Sequence, residues 1–85
     1  SANIPVRRVV EMALGVNAAA VVLAHNHPGG LAIPSADDIQ TTYRVAAALD
    51  TVDIVLADHI VVSQGEYVSM VQSQFYKPDN TCAVR

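Results

Sequence analysis

The sequence predicts an α/β domain, helices packed on a small sheet, in the chain order α-β-α-β-β-β. Three observations carry that prediction. Val6, Val9, Val10, Ala13 and Leu14 recur at helical spacing. Residues 18–24 form a short, continuous apolar run of the kind found in buried strands. Pro28, Gly29, Gly30 and Pro34 then mark a constrained loop before a second helical pattern begins.

Each element has a local reason. Pro5 suits a helix start, because its missing N–H would be an orphan donor in the first turn. Arg7, Arg8 and Glu11 fall largely on the face opposite the apolar residues, as a solvated surface. Gly15 and Asn17 suit the helix stop. The strand over 18–24 runs directly into His25. Ser35 opens the second helix, with Ile39, Val45, Ala46 and Leu49 as its buried positions. Residues 52–56 and 60–62 read as two strands, separated or bent at Asp58-His59. Gln64-Gly65-Glu66 is a hairpin turn signal, and residues 67–70 return as a short strand. From Gln72 the apolar periodicity fades. The expected division is a domain over residues 1–71 and a tail over 72–85.

Composition narrows the class. Eighty-five residues make one small domain, 52% apolar and rich in Ala and Val, with no Trp and one Phe. A chain this short buries roughly 60% of its unfolded surface. So high an apolar fraction points to an extensive packing partner or a larger core. The net charge of −3 supplies no broad basic patch, so direct nucleic-acid binding is not expected. The single cysteine, Cys82, excludes an intrachain disulfide and suggests no ligand role. No apolar run approaches the ~20 residues of a membrane span. No signal-peptide pattern is recognised in these residues, so the cytoplasm is the expected location.

The residues that carry chemistry are His25-Asn26-His27-Pro28 and Pro34-Ser35-Ala36-Asp37-Asp38. In an extended segment alternate side chains point to one side, so His25 and His27 can face one cation while Asn26 faces away. Asp38, eleven residues after His27, adds a carboxylate. Imidazole nitrogen and carboxylate oxygen are ligand types zinc accepts, and a catalytic zinc commonly keeps three protein ligands and one open position. Asp37 competes with Asp38 as the acidic ligand. Ser35-x-x-Asp38 also reads as a helix capping box, a role compatible with ligation. Gly29-Gly30 reads as a turn, since no Gly-Lys-Ser/Thr follows to make a phosphate loop. Asp58-His59 is either a polar strand end or a pair that orients a ligand histidine.

His25, His27, Pro28, Ser35 and Asp38, with residues 29–34 filling the gap, resemble the JAMM (JAB1/MPN/Mov34) metalloprotease motif, a His-x-His-Pro segment followed by Ser-x-x-Asp. Asn17-Ala18-Ala19-Ala20, Leu23-Ala24-His25-Asn26-His27-Pro28, Pro34-Ser35 and Asp58-His59-Ile60 are closer still to the RadC branch. The resemblance covers about residues 4–70. It implies the JAMM/MPN three-layer, cytidine-deaminase-like fold. It implies Zn2+ held by His25, His27 and Asp38, with Ser35 stabilising an oxyanion during hydrolysis of a peptide or isopeptide bond. The family's general base is a Glu on a strand upstream of the histidines. Glu11 lies fourteen residues before His25 on the first helix and Glu66 lies downstream in a turn, so neither matches.

The expectation is therefore a domain truncated at its N-terminus, able to bind metal but nearly inactive alone. Surface uncovered by truncation should drive self-association, most simply into a homodimer. A non-catalytic interaction module of the MPN type is the alternative. A zinc deaminase is disfavoured, because the His-x-Glu and Pro-Cys-x-x-Cys signature is absent. The DNA-repair label attached to the RadC name finds no support in this acidic sequence.

Overall fold

The computed structural model describes residues 4–78. Its elements are helix α1 (Val6–Gly15), strand β1 (Ala20–Asn26), helix α2 (Ala36–Asp50), strand β2 (Val55–Ser63) and strand β3 (Glu66–Ser69). The sheet order is β1-β2-β3. β1 and β2 pair in parallel across the α2 crossover, and β2 and β3 form an antiparallel hairpin. The α/β architecture is as expected. The order differs in one respect: residues 55–63 make one strand, not two. Asp58 and His59 stay in register with Val22 and Leu23 of β1, across a bulge between Val21 and Val22. A polar pair is compatible with an unbroken strand here because both side chains find partners, as described below. Val52 and Asp53 belong to the turn that closes α2, where Asp53 takes a positive φ of 62°.

Local chemistry sets the ends. Pro5 is the N-cap of α1, and Asn17 takes the left-handed conformation, φ 57°, just past the helix. Ser35 caps α2. Gln64 and Gly65, φ 49° and 80°, form a two-residue hairpin turn whose twist matches the flanking strands.

The core lies between the helices and one sheet face. Val45, Leu49, Ile54, Leu56, Val61, Met70 and Tyr76 are buried there with Ala13. Ile39 and Ala46 of α2 are packed against it, half-buried. Tyr76 is reached after the apolar periodicity has faded; its ring joins the core and its hydroxyl donates to Leu56 O at 2.7 Å. Residues 79–85, including Cys82 and the end of the expected tail, lie outside the described residues.

β1 departs from the buried strand expected. Val21, Leu23 and His25 turn inward, while Ala20, Val22 and Ala24 are exposed. The helices cover one face only, so an all-apolar strand alternates in burial without alternating in sequence. Among the described residues no helix is long and apolar enough to cross a membrane.

Candidate metal centre

Strand β1 carries the two histidines to its C-terminal end. His25 is the sixth strand residue, and the ladder continues through the His27 N–H, which donates to Val62 O at 2.7 Å. Both imidazoles therefore emerge on the inner face, with Asn26 exposed between them. The chain then turns away through Gly29 and Gly30, both at φ near +100° (103° and 102°), which residues with a Cβ rarely adopt. It returns through the buried Ala32 and Pro34 to the start of α2.

Asp38 is brought to the histidines by that helix start. It is the third residue of α2, and Ser35 and Asp38 form a reciprocal capping box. The box leaves Asp38 fully buried, while Asp37 is exposed. Burial alone would raise the Asp38 pKa. Hydrogen bonding from the Ser35 backbone N–H and side chain and the proximity of His25 and His27 outweigh it, so the net direction is downward. The carboxylate is ionised at neutral pH.

The three side chains meet as follows. His25 Nε2 lies 3.4 Å from Asp38 Oδ1, and His27 Nε2 lies 3.6 Å from Asp38 Oδ2. Both separations exceed a hydrogen bond. Two ligands each about 2.1 Å from a tetrahedral zinc lie about 3.4 Å apart, so the spacing suits a shared ion. His25 Nε2 and Asp38 Oδ1 are buried with no hydrogen-bond partner, a costly state for two polar atoms facing each other. Among the described residues no group of three or more His, Cys, Asp or Glu side chains is arranged so that it could hold a metal ion as it stands. The ring centroids of His25 and His27 stand 6.0 Å apart, and the two imidazoles address different oxygens of one carboxylate. The donor types and the orphaned atoms, rather than a closed ligand set, are what point to a metal here.

Behind His25 lies a polar chain that sequence spacing reveals only in part. His25 Nδ1 is 2.8 Å from His59 Nε2, His59 Nδ1 is 2.6 Å from Thr42 Oγ1, and Thr42 Oγ1 donates to Asp38 O at 2.7 Å. His59 and Thr42 are fully buried. Burial lowers the His59 pKa, His25 nearby lowers it further, and the attraction of Asp38 and Asp58 does not reverse the direction. Of the pair Asp58-His59, His59 is the residue in contact with a candidate ligand histidine. Asp58 is structural: it accepts from the His59 and Val71 N–H groups and from Ser69 Oγ. Thr42 carried no motif. Its signal was its place one helical turn after Asp38, where i and i+4 share a face.

Glu11 sits on exposed α1 in an ion pair with Arg7 at 3.4 Å, and Glu66 is exposed at the hairpin.

The fold and this cluster define a small mixed-sheet α/β domain carrying a His-x-His pair at a strand end and an aspartate from the next helix. The RadC-like JAB domain profile matches residues 1–75, and the chain belongs to that family. A UPF0758 protein of Cellvibrio japonicus is 55% identical over 71 residues, 84% of this chain and 32% of its own length. One from a Marinomonas species is 54% identical over 66 residues, 78% of this chain and 30% of its own. One from Aeromonas hydrophila is 50% identical over 72 residues, 85% of this chain and 32% of its own. The chain thus spans about a third of the length of the curated relatives it matches.

Proposed function

We propose that this domain is the metal-binding part of a zinc-dependent hydrolase that cleaves amide bonds in a peptide or protein. The observation that carries this reading is the pair of orphaned buried atoms, His25 Nε2 and Asp38 Oδ1, facing each other at 3.4 Å. His25, His27 and Asp38 would hold the ion. A bound zinc supplies Lewis acidity, which activates water and polarises a carbonyl.

The remaining steps belong to this chain's own groups. Asp38 supplies the negative charge that makes the site cation-selective. Ser35 accepts the Asp38 N–H at 3.0 Å through its oxygen, which leaves its own proton to donate to an oxygen that gains charge during hydrolysis. The proton acceptor is assigned to a carboxylate outside residues 1–85, since Glu11 and Glu66 are engaged or exposed elsewhere. General base catalysis typically contributes ~10² to 10⁴-fold, so these 85 residues alone should be nearly inactive on peptides.

The test is zinc titration of the metal-free chain by calorimetry, joined to peptide hydrolysis by the chain alone and by a form with the length of the relatives. Stoichiometric zinc binding with turnover only in the longer form supports the proposal. A folded chain that takes no zinc refutes the metal reading. Efficient zinc-dependent hydrolysis by residues 1–85 alone refutes the missing base.

A further inference from the structure

We propose that Thr42 and His59 form a one-way proton-donor relay that fixes His25 in the tautomer with a bare Nε2, making both of them positioning residues for the metal site. Only the role of Nε2 as a ligand rests on the proposed function. The placement of the protons follows from the hydrogen bonds themselves.

The direction is set at the buried end. Thr42 Oγ1 and Asp38 O are 2.7 Å apart, and a carbonyl oxygen can only accept. A proton must lie between them, and it is the threonine's single hydroxyl proton. Met70 Sδ, 3.6 Å from the same oxygen, is a longer and weaker alternative acceptor. With its proton committed, Thr42 Oγ1 can only accept from His59 Nδ1 at 2.6 Å. His59 is fully buried, and in a neutral imidazole a proton on Nδ1 leaves Nε2 as an acceptor. That acceptor faces His25 Nδ1 at 2.8 Å, so His25 Nδ1 carries the hydrogen. His25 Nε2 is then a bare lone pair aimed at Asp38 Oδ1.

The opposite direction fails at both ends. It would leave the two oxygens of Thr42 and Asp38 at 2.7 Å with no proton between them. It would also place a proton on His25 Nε2, where the nearest acceptor, Asp38 Oδ1, stands at 3.4 Å, beyond a hydrogen bond. The relay begins at the backbone carbonyl of Asp38 and returns to that residue's carboxylate. One residue thus anchors the tautomer with its main chain and faces the resulting lone pair with its side chain. Groups that orient a ligand histidine are typically worth 10–100-fold in metal affinity.

The experiment reads the protons directly. Nitrogen-15 NMR of the imidazoles is recorded on the metal-free chain at neutral pH, followed by zinc titration. The expected result is Nδ1–H on both His25 and His59, the less common form for a free imidazole. Thr42→Val removes the hydroxyl at nearly constant volume. His59 should then revert to Nε2–H, His25 should switch to Nε2–H, and zinc affinity should fall about 10–100-fold. Thr42→Ser should restore both readouts. Nε2–H on His25 in the unsubstituted chain overturns the relay, and this needs no variant to fold. Unchanged tautomers and zinc affinity in a folded Thr42→Val chain overturn it as well. Correct tautomers with no zinc binding leave the relay standing and refute the metal reading instead.

Discussion

Ser35 and Asp38 hold each other through two reciprocal hydrogen bonds. The Asp38 N–H donates to Ser35 Oγ at 3.0 Å, and the Ser35 N–H donates to Asp38 Oδ2 at 2.8 Å. A device that usually only starts a helix here also fixes a candidate ligand, because the capping carboxylate keeps its second oxygen turned to His25. Asp38 and Asp37 also place negative charge at the positive end of α2.

Removing the serine hydroxyl separates these roles. Ser35→Ala should cost about 1 kcal/mol of stability, the usual value of an N-cap. For a domain of this size that is roughly a 4–8 °C drop in melting temperature. Ser35→Thr should recover most of it. Thermal denaturation followed by circular dichroism measures both. An unchanged melting temperature in the alanine variant would show that the cap is not a significant part of the fold.

The metal reading predicts about one zinc per chain in the metal-reconstituted protein. His27→Ala deletes one of the three ligands at a partly exposed position, so the fold should survive while stoichiometric zinc is lost. Elemental analysis after dialysis, with a circular dichroism spectrum to confirm folding, is the measurement. Equal zinc content in the two proteins would remove His27 from the site.

Asp58 should dominate part of the acid sensitivity. Burial raises its pKa, but the hydrogen bonds from Ser69, Val71 and His59 overcome that and hold it below the ordinary 3.8. A depressed carboxylate contributes its full stability above the unfolded pKa and loses it as pH falls through the folded value. Asp58→Asn should therefore destabilise the domain at neutral pH by about 1–3 kcal/mol, the range for hydrogen bonds to a charged group. The gap between variant and parent should narrow as pH drops from 5 to about 3. Urea denaturation across that interval tests it; a constant gap would assign the loss to packing.

Much of this molecule is legible in its residues. Helical spacing located α1, and Ser35 marked the start of α2 to the residue. The His-x-His-Pro and Ser-x-x-Asp spacing named side chains that the fold does bring together. What remained hidden depends on the third dimension. Asp58-His59 looked like a break because polar pairs usually end strands; β2 continues because His59 meets His25 and Thr42, while Asp58 caps the turn after β3. Tyr76 is separated from its partner Leu56 by twenty residues, and no local pattern announces that contact. The exposed side of β1 was illegible for a similar reason. An apolar run does not say how many of its faces are covered.

That exposed side supports the last prediction. β1 is an edge of the described sheet, with β2 as its one strand partner. Val22 is 58% exposed, Met12 on the neighbouring α1 is 61% exposed, and Val16 at the C-cap of that helix is 77% exposed. These residues line one open apolar groove between the helix and the strand. Residues 52–56, also apolar, are largely withdrawn into the core, since Ile54 and Leu56 are buried. The expected contact is therefore the β1 edge with its adjoining groove. Unpaired edges recruit further strands, and contiguous apolar patches tend to be covered. We propose that the 85 residues self-associate through this edge, most simply about a two-fold axis. Val22→Lys places a charge on the exposed strand face without entering the core and should shift the population to monomer. Sedimentation velocity at tens of micromolar compares the two proteins. A clean monomer in the unsubstituted chain, with cooperative unfolding, would show that the edge stays open in solution.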